Sequence, residues 1–143
     1  MLYVLYFGFW LIAIGFLVLA FAWGGPAERY AAGMMTIAAV ATPAVGDLFN
    51  THWHSPQPGV LAVDVLLLLG LGWLALTSRR YWPMTLVCFQ LLAVLTHPAL
   101  WIDPFILPFG YALMQGFWAY PMMAVVLAGA CRHRRRLHEE RAG

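Results

Sequence analysis

Residues 60–77 read VLAVDVLLLLGLGWLALT, and the triplet Ser-Arg-Arg follows at 78–80. Asp64 is the only charged residue in this apolar run. A helix of this length extends about 27 Å, close to the ~30 Å hydrocarbon thickness of a bilayer. The run has no polar face, which a helix on the surface of a soluble bundle would need. The stretch therefore predicts a membrane-spanning helix and argues against a soluble all-α bundle.

Four more apolar runs flank this stretch, so the sequence predicts an all-α integral membrane bundle of five transmembrane helices. The chain of 143 residues is 63% hydrophobic and 10% charged, whereas roughly 25% of a soluble domain is charged. Turn-rich or charged breaks place the helices at about residues 2–23, 30–49, 60–77, 82–97 and 109–130. Together they form one transmembrane domain, residues 1–131, and Pro121 should kink its last helix. A basic tail follows at 132–143.

The arginines predict the orientation of this bundle. Successive connections between membrane-spanning helices lie on opposite sides of the membrane. With this assignment, one side receives Arg29, Arg79, Arg80 and the whole tail, and the other side receives no arginine. Positive residues stay on the cytoplasmic side of a membrane. We therefore expect the N-terminus outside and the C-terminus in the cytoplasm of a bacterial inner membrane. The cluster at 132–136 adjoins the bilayer, which makes lipid its expected partner and excludes nucleic acid.

The first apolar run could be mistaken for a signal peptide, because Ala20-Phe21-Ala22 resembles a cleavage site. However, no basic side chain precedes the run, and the run is too long for the apolar region of a signal peptide. We interpret it as a retained helix.

Asp64 is the most informative polar residue of the sequence. It lies about one and a half turns into the third predicted helix, roughly 7 Å from the start of that helix. A lone carboxylate at such a depth costs about 2–3 kcal/mol, so it needs a partner, a proton or a wet cavity. One interpretation is a proton or cation site. The other is an interfacial aspartate that water or the helix dipole satisfies.

Further polar groups cluster in the two connections assigned to the outer side: Asp47, His52, His54, His97 and Asp103. Histidines two apart in an extended segment can chelate a metal, and carboxylates can complete a Zn²⁺ or Cu²⁺ shell. The alternative is a set of ordinary interfacial histidines. Haem is a weaker candidate than a metal ion, because bis-histidine ligation requires histidines inside two facing helices, and no apolar run has a histidine in its middle. We expect Asp64 and the outer histidines to share a small polar cavity.

Two amides, Gln90 and Gln115, lie inside the fourth and fifth predicted helices. Buried amides in membrane bundles form hydrogen bonds between helices. This structural role is one interpretation of the two residues. The other is that they line a ligand pocket.

Several short stretches of the second half carry a resemblance: RRYWP at 79–83, QLLAV at 90–94 with His97, and WAYP at 118–121. These stretches resemble small multi-pass proteins of alphaproteobacteria to which no function is attached. The resemblance covers most of the last three predicted helices. It implies residence in a bacterial inner membrane and carries no activity.

Motifs of known enzymes are missing from the sequence: it contains no HExxH, GxSxG, P-loop or GxGxxG pattern. This favours a non-enzymatic protein, either an accessory subunit of a larger membrane complex or homo-oligomer, or a small-molecule binder. The alternative is a small membrane enzyme, or a cation or proton carrier, that uses the outer Asp and His cluster.

Overall fold

The computed structural model describes residues 2–48, 58–98 and 117–142, with side chains described from residue 7 to residue 45 in the first segment. Within these residues the chain is helical and contains no strand, which confirms the predicted all-α class. The helices are α1 Leu2–Trp23, α2 Pro26–Leu48, α3 Pro58–Thr77, α4 Trp82–Thr96 and α5 Ala119–Ala142.

The second helix begins at Pro26, four residues before the predicted start at residue 30. Proline suits the first position of a helix, where its missing N–H is not needed. Two residues later, Glu28 Oε2 accepts a hydrogen bond from the Gly25 backbone N–H at 3.1 Å, which is the half of a capping box that the third helical residue supplies. The apolar run thus predicted the apolar part of α2 correctly. The start of the helix is set by the local capping interaction.

The fifth helix does not end at residue 130 as predicted. It continues to Ala142, so the residues predicted as a basic tail are helical. Arg, Leu and Glu are strong helix formers.

Pro121 lies in the first turn of α5. Phe117 is helical, Trp118 is a turn residue and the helix resumes at Ala119. Because proline has no N–H, it cannot donate to the Phe117 carbonyl. Pro121 therefore lies at the boundary of α5, whereas the prediction placed it inside the fifth helix, and the kink itself stays a prediction. Residues 109–116 of the predicted helix lie outside the described residues.

The helices alternate in direction around the bundle. Each helix packs on its neighbours in the chain where both are described, and α5 closes the bundle by packing on α1, α2 and α4. Ring contacts of Phe9 with Tyr120 and of Phe89 with Trp118 place the start of α5 beside the first half of α1 and the middle of α4. Further along α5, Gly129 lies beside Trp82 at the start of α4, and Arg134 beside Trp23 at the end of α1. Helices α1, α3 and α5 therefore run one way, and α2 and α4 run the other.

The bundle thus has two distinct ends. We call the end where α3 begins and α4 finishes the Asp64 end, and the end where α2 and α4 begin the Glu28 end. Between the two ends the interior is apolar and tightly packed. Its completely buried side chains come from all five helices and include Ala20, Ala31, Leu71, Leu86 and Val126.

The exterior of the bundle is also apolar. Large exposed side chains include Leu11 of α1, Ile37 of α2, Trp73 and Leu76 of α3, and Leu95 of α4. Among the described residues one helix, α3, is by its length and composition a candidate membrane span, and Phe7–Trp23 and Trp82–Thr96 form shorter apolar helices. An apolar surface of this extent is typical of contact with lipid or with another protein.

Candidate functional site

Asp64 and His97 meet at the Asp64 end of the bundle. Asp64 is in the second turn of α3, and His97 directly follows α4. Because α3 and α4 are antiparallel neighbours, the early part of one lies beside the end of the other. His97 Nε2 lies 2.8 Å from Asp64 Oδ2. The imidazole is buried, with 4% of its side chain exposed, whereas the carboxylate retains 17% exposure.

Gln90 completes this group, which we call the Asp64 cluster (Asp64, Gln90 and His97). The Gln90 side chain is 3% exposed. Its Nε2 donates to the Asp64 backbone carbonyl at 3.1 Å and to Asp64 Oδ1 at 3.2 Å. Gln90 and His97 are seven residues apart, about two helical turns, and so share one face of the chain. The amide therefore ties α4 to α3 and also lines the polar site.

The other residues predicted for this site are not placed by the described part of the structure. Asp47 belongs to α2, but its side chain is outside the described set. His52, His54, Asp103 and Gln115 lie outside the described residues. Within the described residues no group of three or more His, Cys, Asp or Glu side chains could hold a metal ion. The predicted Zn²⁺ or Cu²⁺ site and the larger shared cavity stay predictions.

The chemistry of the Asp64 cluster follows from its hydrogen bonds. An ionised carboxylate has about four acceptor positions. Gln90 and His97 each occupy one of these positions, so Asp64 can accept further bonds through its exposed part. The Asp64–His97 pair can also carry a proton between two atoms 2.8 Å apart. The arrangement can therefore hold a small hydrogen-bond donor or exchange a proton.

A second polar cluster, which the sequence interpretation missed, lies at the Glu28 end. The Glu28 side chain is completely buried. Its Oε1 forms an ion pair with Arg80 Nη1, and its Oε2 accepts the Gly25 N–H described above. Arg80 had been assigned only to the positive side of the membrane. The signal that could have found this carboxylate is the sequence Gly-Pro-Ala-Glu at 25–28, which is typical of a helix N-terminus whose third residue caps it.

Residues of α4, α5 and the α1–α2 turn pack closely around the Glu28 side chain. A Cβ placed on Gly129 would lie 3.3 Å from Glu28 Oε1 and 3.4 Å from Trp82 Nε1. A Cβ placed on Gly25 would lie 3.1 Å from the His133 ring. Small residues thus let α5 approach the α1–α2 turn and the start of α4. Trp82 Nε1 is buried and has no hydrogen-bond partner among the described residues.

No family model, curated protein or solved structure matches this chain. The two clusters are therefore the features of this chain that point to a function. Asp64 is the better candidate for binding, because it keeps partial exposure and unused acceptor positions. Glu28 is fully enclosed and ion-paired with Arg80, which is typical of a structural role.

Proposed function

We propose that the chain is a multi-pass inner-membrane protein with five spanning helices, its N-terminus outside and its C-terminus in the cytoplasm. The alternating helix directions support an odd number of crossings. The exposed apolar side chains on α1 to α4 support lipid as the surrounding solvent. All eight arginines lie near the Glu28 end or on α5 beyond it, as the positive-inside rule requires of a cytoplasmic side.

Reporter fusions test this topology. A reporter that is active only outside the cytoplasm should be active when it is fused after His54 and inactive when it is fused after Arg136. A reporter that is active only inside should show the opposite pattern. If the two reporters show the reverse of these patterns, the orientation is opposite to the one proposed, and the Asp64 cluster lies at the cytoplasmic face.

Within this membrane protein, the Asp64 cluster is proposed as a binding site without catalysis. The observation that carries the proposal is a carboxylate held by two buried polar side chains, His97 and Gln90, in an otherwise apolar helix pair. Ionisable groups among membrane helices are expensive and mark functional sites by default. Because Asp64 offers acceptors and negative charge, the ligand is a small molecule that carries a cation or hydrogen-bond donors. Such a binder can act alone or as an accessory subunit of a larger complex.

Native mass spectrometry of the chain purified from its own membranes tests the binding role. We expect a small non-lipid adduct on the unaltered chain and its loss in Asp64→Asn, which keeps the volume and removes the charge. Glu139→Gln is the matched control, because it makes the same chemical change on the exposed end of α5 and should keep the adduct. An adduct that survives Asp64→Asn unchanged would contradict the proposal.

The second candidate is a proton or cation carrier, which the 2.8 Å contact between Asp64 and His97 favours. Histidine is the side chain that ordinarily changes charge near neutral pH. Proteoliposomes that contain the chain should then take up protons or a monovalent cation down an imposed gradient, and Asp64→Asn should abolish this uptake while Glu139→Gln leaves it in place. Uptake that is absent from the unaltered chain, or that survives Asp64→Asn, would argue against a carrier at this pair.

A further inference from the structure

The Glu28 end of the bundle carries a dense positive charge. All eight arginines of the chain lie in the first turn of α2, in the α3–α4 connection or on α5 beyond Ala130. Three glutamates, Glu28, Glu139 and Glu140, share this end. Eight positive charges against three negative ones leave a formal charge of +5 here, although the whole chain carries +2. This end therefore attracts anions strongly.

The part of α5 that carries most of these arginines, residues 131–142, is held against the bundle at its first turn. We call this part the α5 extension. The His133 ring lies against Gly25, as the 3.1 Å distance to a Cβ on that glycine indicates. One residue later, the Arg134 guanidinium carbon lies 4.6 Å from the centre of the Trp23 ring, a cation–π contact. The depth of the neighbouring arginines is thereby fixed relative to α1 and α2.

That depth corresponds to the headgroup layer of a bilayer. Gly129 contacts Trp82, the first residue of α4, and so lies at the level where the apolar helices begin and end. Arg132 to Arg136 then stand about 3–9 Å beyond Ala130 along the helix. The headgroup region of a bilayer is roughly 5–7 Å thick on each side. Because helical side chains tilt toward the helix N-terminus, the long side chains of Arg135 and Arg136 reach back from about 8–9 Å into this layer. Arg141, at about 16 Å, lies past this layer.

We propose that Arg132, Arg135 and Arg136 bind the phosphate groups of anionic phospholipids. All three side chains are exposed, and none forms an ion pair within the part of the chain that the structure describes. Guanidinium groups bind phosphate through paired N–H donors. The exposed Tyr30 and Tyr81 at the same end suit the aromatic belt of an interface. This inference rests on the membrane insertion proposed above and concerns a site distinct from the Asp64 cluster.

The test measures lipid binding to the full chain by native mass spectrometry in a non-ionic detergent. Phosphatidylglycerol and phosphatidylcholine with identical acyl chains are titrated separately. The unaltered chain should prefer phosphatidylglycerol. Arg136→Gln should lower that preference about fivefold, since one arginine near an anionic surface contributes about 1 kcal/mol. Arg141→Gln removes the same charge five residues further along and should change the preference less than about twofold.

Equal affinities for the two lipids, or equal effects of Arg136→Gln and Arg141→Gln, would overturn the proposal. Displacement of phosphatidylglycerol by excess inorganic phosphate would assign the arginines to a free anion and would also overturn it. Carbonate washing of membranes separates the two proposals. A chain that stays in the washed membranes without a headgroup preference refutes the lipid site alone, while a chain that washes off refutes the five-span proposal as well.

Discussion

The ion pair between Arg80 and Glu28 predicts an unequal response to the loss of its two partners. Glu28 is completely buried, whereas 32% of the Arg80 side chain is exposed. Arg80→Gln leaves the carboxylate enclosed with one hydrogen bond, from Gly25 N–H, and without a counter-charge. Removing one partner of a buried pair costs about 3–5 kcal/mol. We expect a loss of this size in the free energy of unfolding.

The reverse change should be milder. Glu28→Gln keeps an oxygen that can accept the Gly25 N–H, and Arg80 can turn its guanidinium toward water. The loss is then mainly one charge-assisted hydrogen bond, about 1.5 kcal/mol. The double variant Glu28→Gln/Arg80→Gln contains no buried charge at this position. It should be at least about 2 kcal/mol more stable than Arg80→Gln alone.

The measurement is unfolding of the purified chain in mixed micelles by dodecyl sulfate, followed by circular dichroism. Arg79→Gln is the matched control, because Arg79 is the exposed neighbour of Arg80 and should change stability by less than about 0.5 kcal/mol. The reasoning is refuted if Glu28→Gln is the more damaging single change, or if Arg80→Gln and Arg79→Gln behave alike.

The remaining predictions concern packing and the Asp64 cluster. In Gly24→Ala the new Cβ would overlap the Ala20 carbonyl oxygen and lie 2.7 Å from Glu28 Cβ; we expect a thermal unfolding midpoint well below that of Gly15→Ala, whose Cβ meets nothing within 4 Å. Gly15→Ala itself should stabilise α1 by up to about 1 kcal/mol, because alanine has a higher helix propensity than glycine. A thermal unfolding midpoint of Gly15→Ala below that of the unaltered chain would contradict this expectation. Gln90→Leu removes the two hydrogen bonds that Nε2 donates to the Asp64 backbone carbonyl and to Oδ1, and it should cost about 1–3 kcal/mol in the same unfolding titration, because two acceptors on α3 lose this donor. An unchanged stability of Gln90→Leu would mean that the amide does not tie α4 to α3.

The sequence by itself determined the helical class and the position of most breaks. Apolar runs with no polar face, interrupted by Gly, Pro and Arg, carry this information locally, because helix hydrogen bonds join residues four apart. The same local reasoning missed the start of α2 and the length of α5. The predicted start of α2 followed the first apolar residues and did not include the helix start formed by Pro26 and Glu28. The predicted end of α5 followed the first arginines and did not include the helix propensity of the arginine-rich segment.

Only the tertiary structure decided which polar groups meet. Asp64 lies 33 residues from His97, and Glu28 lies 52 residues from Arg80. A helix with apolar residues all round gives no sign of which face turns inward, since its hydrophobic pattern has no preferred direction. The rotation of each helix is set by close packing at small residues such as Gly129, which lets α5 approach Glu28 and Trp82. For this reason the sequence singled out Asp64 and predicted that it lies near the outer histidines, but only the bundle selected His97 among them and added Gln90 as its partner.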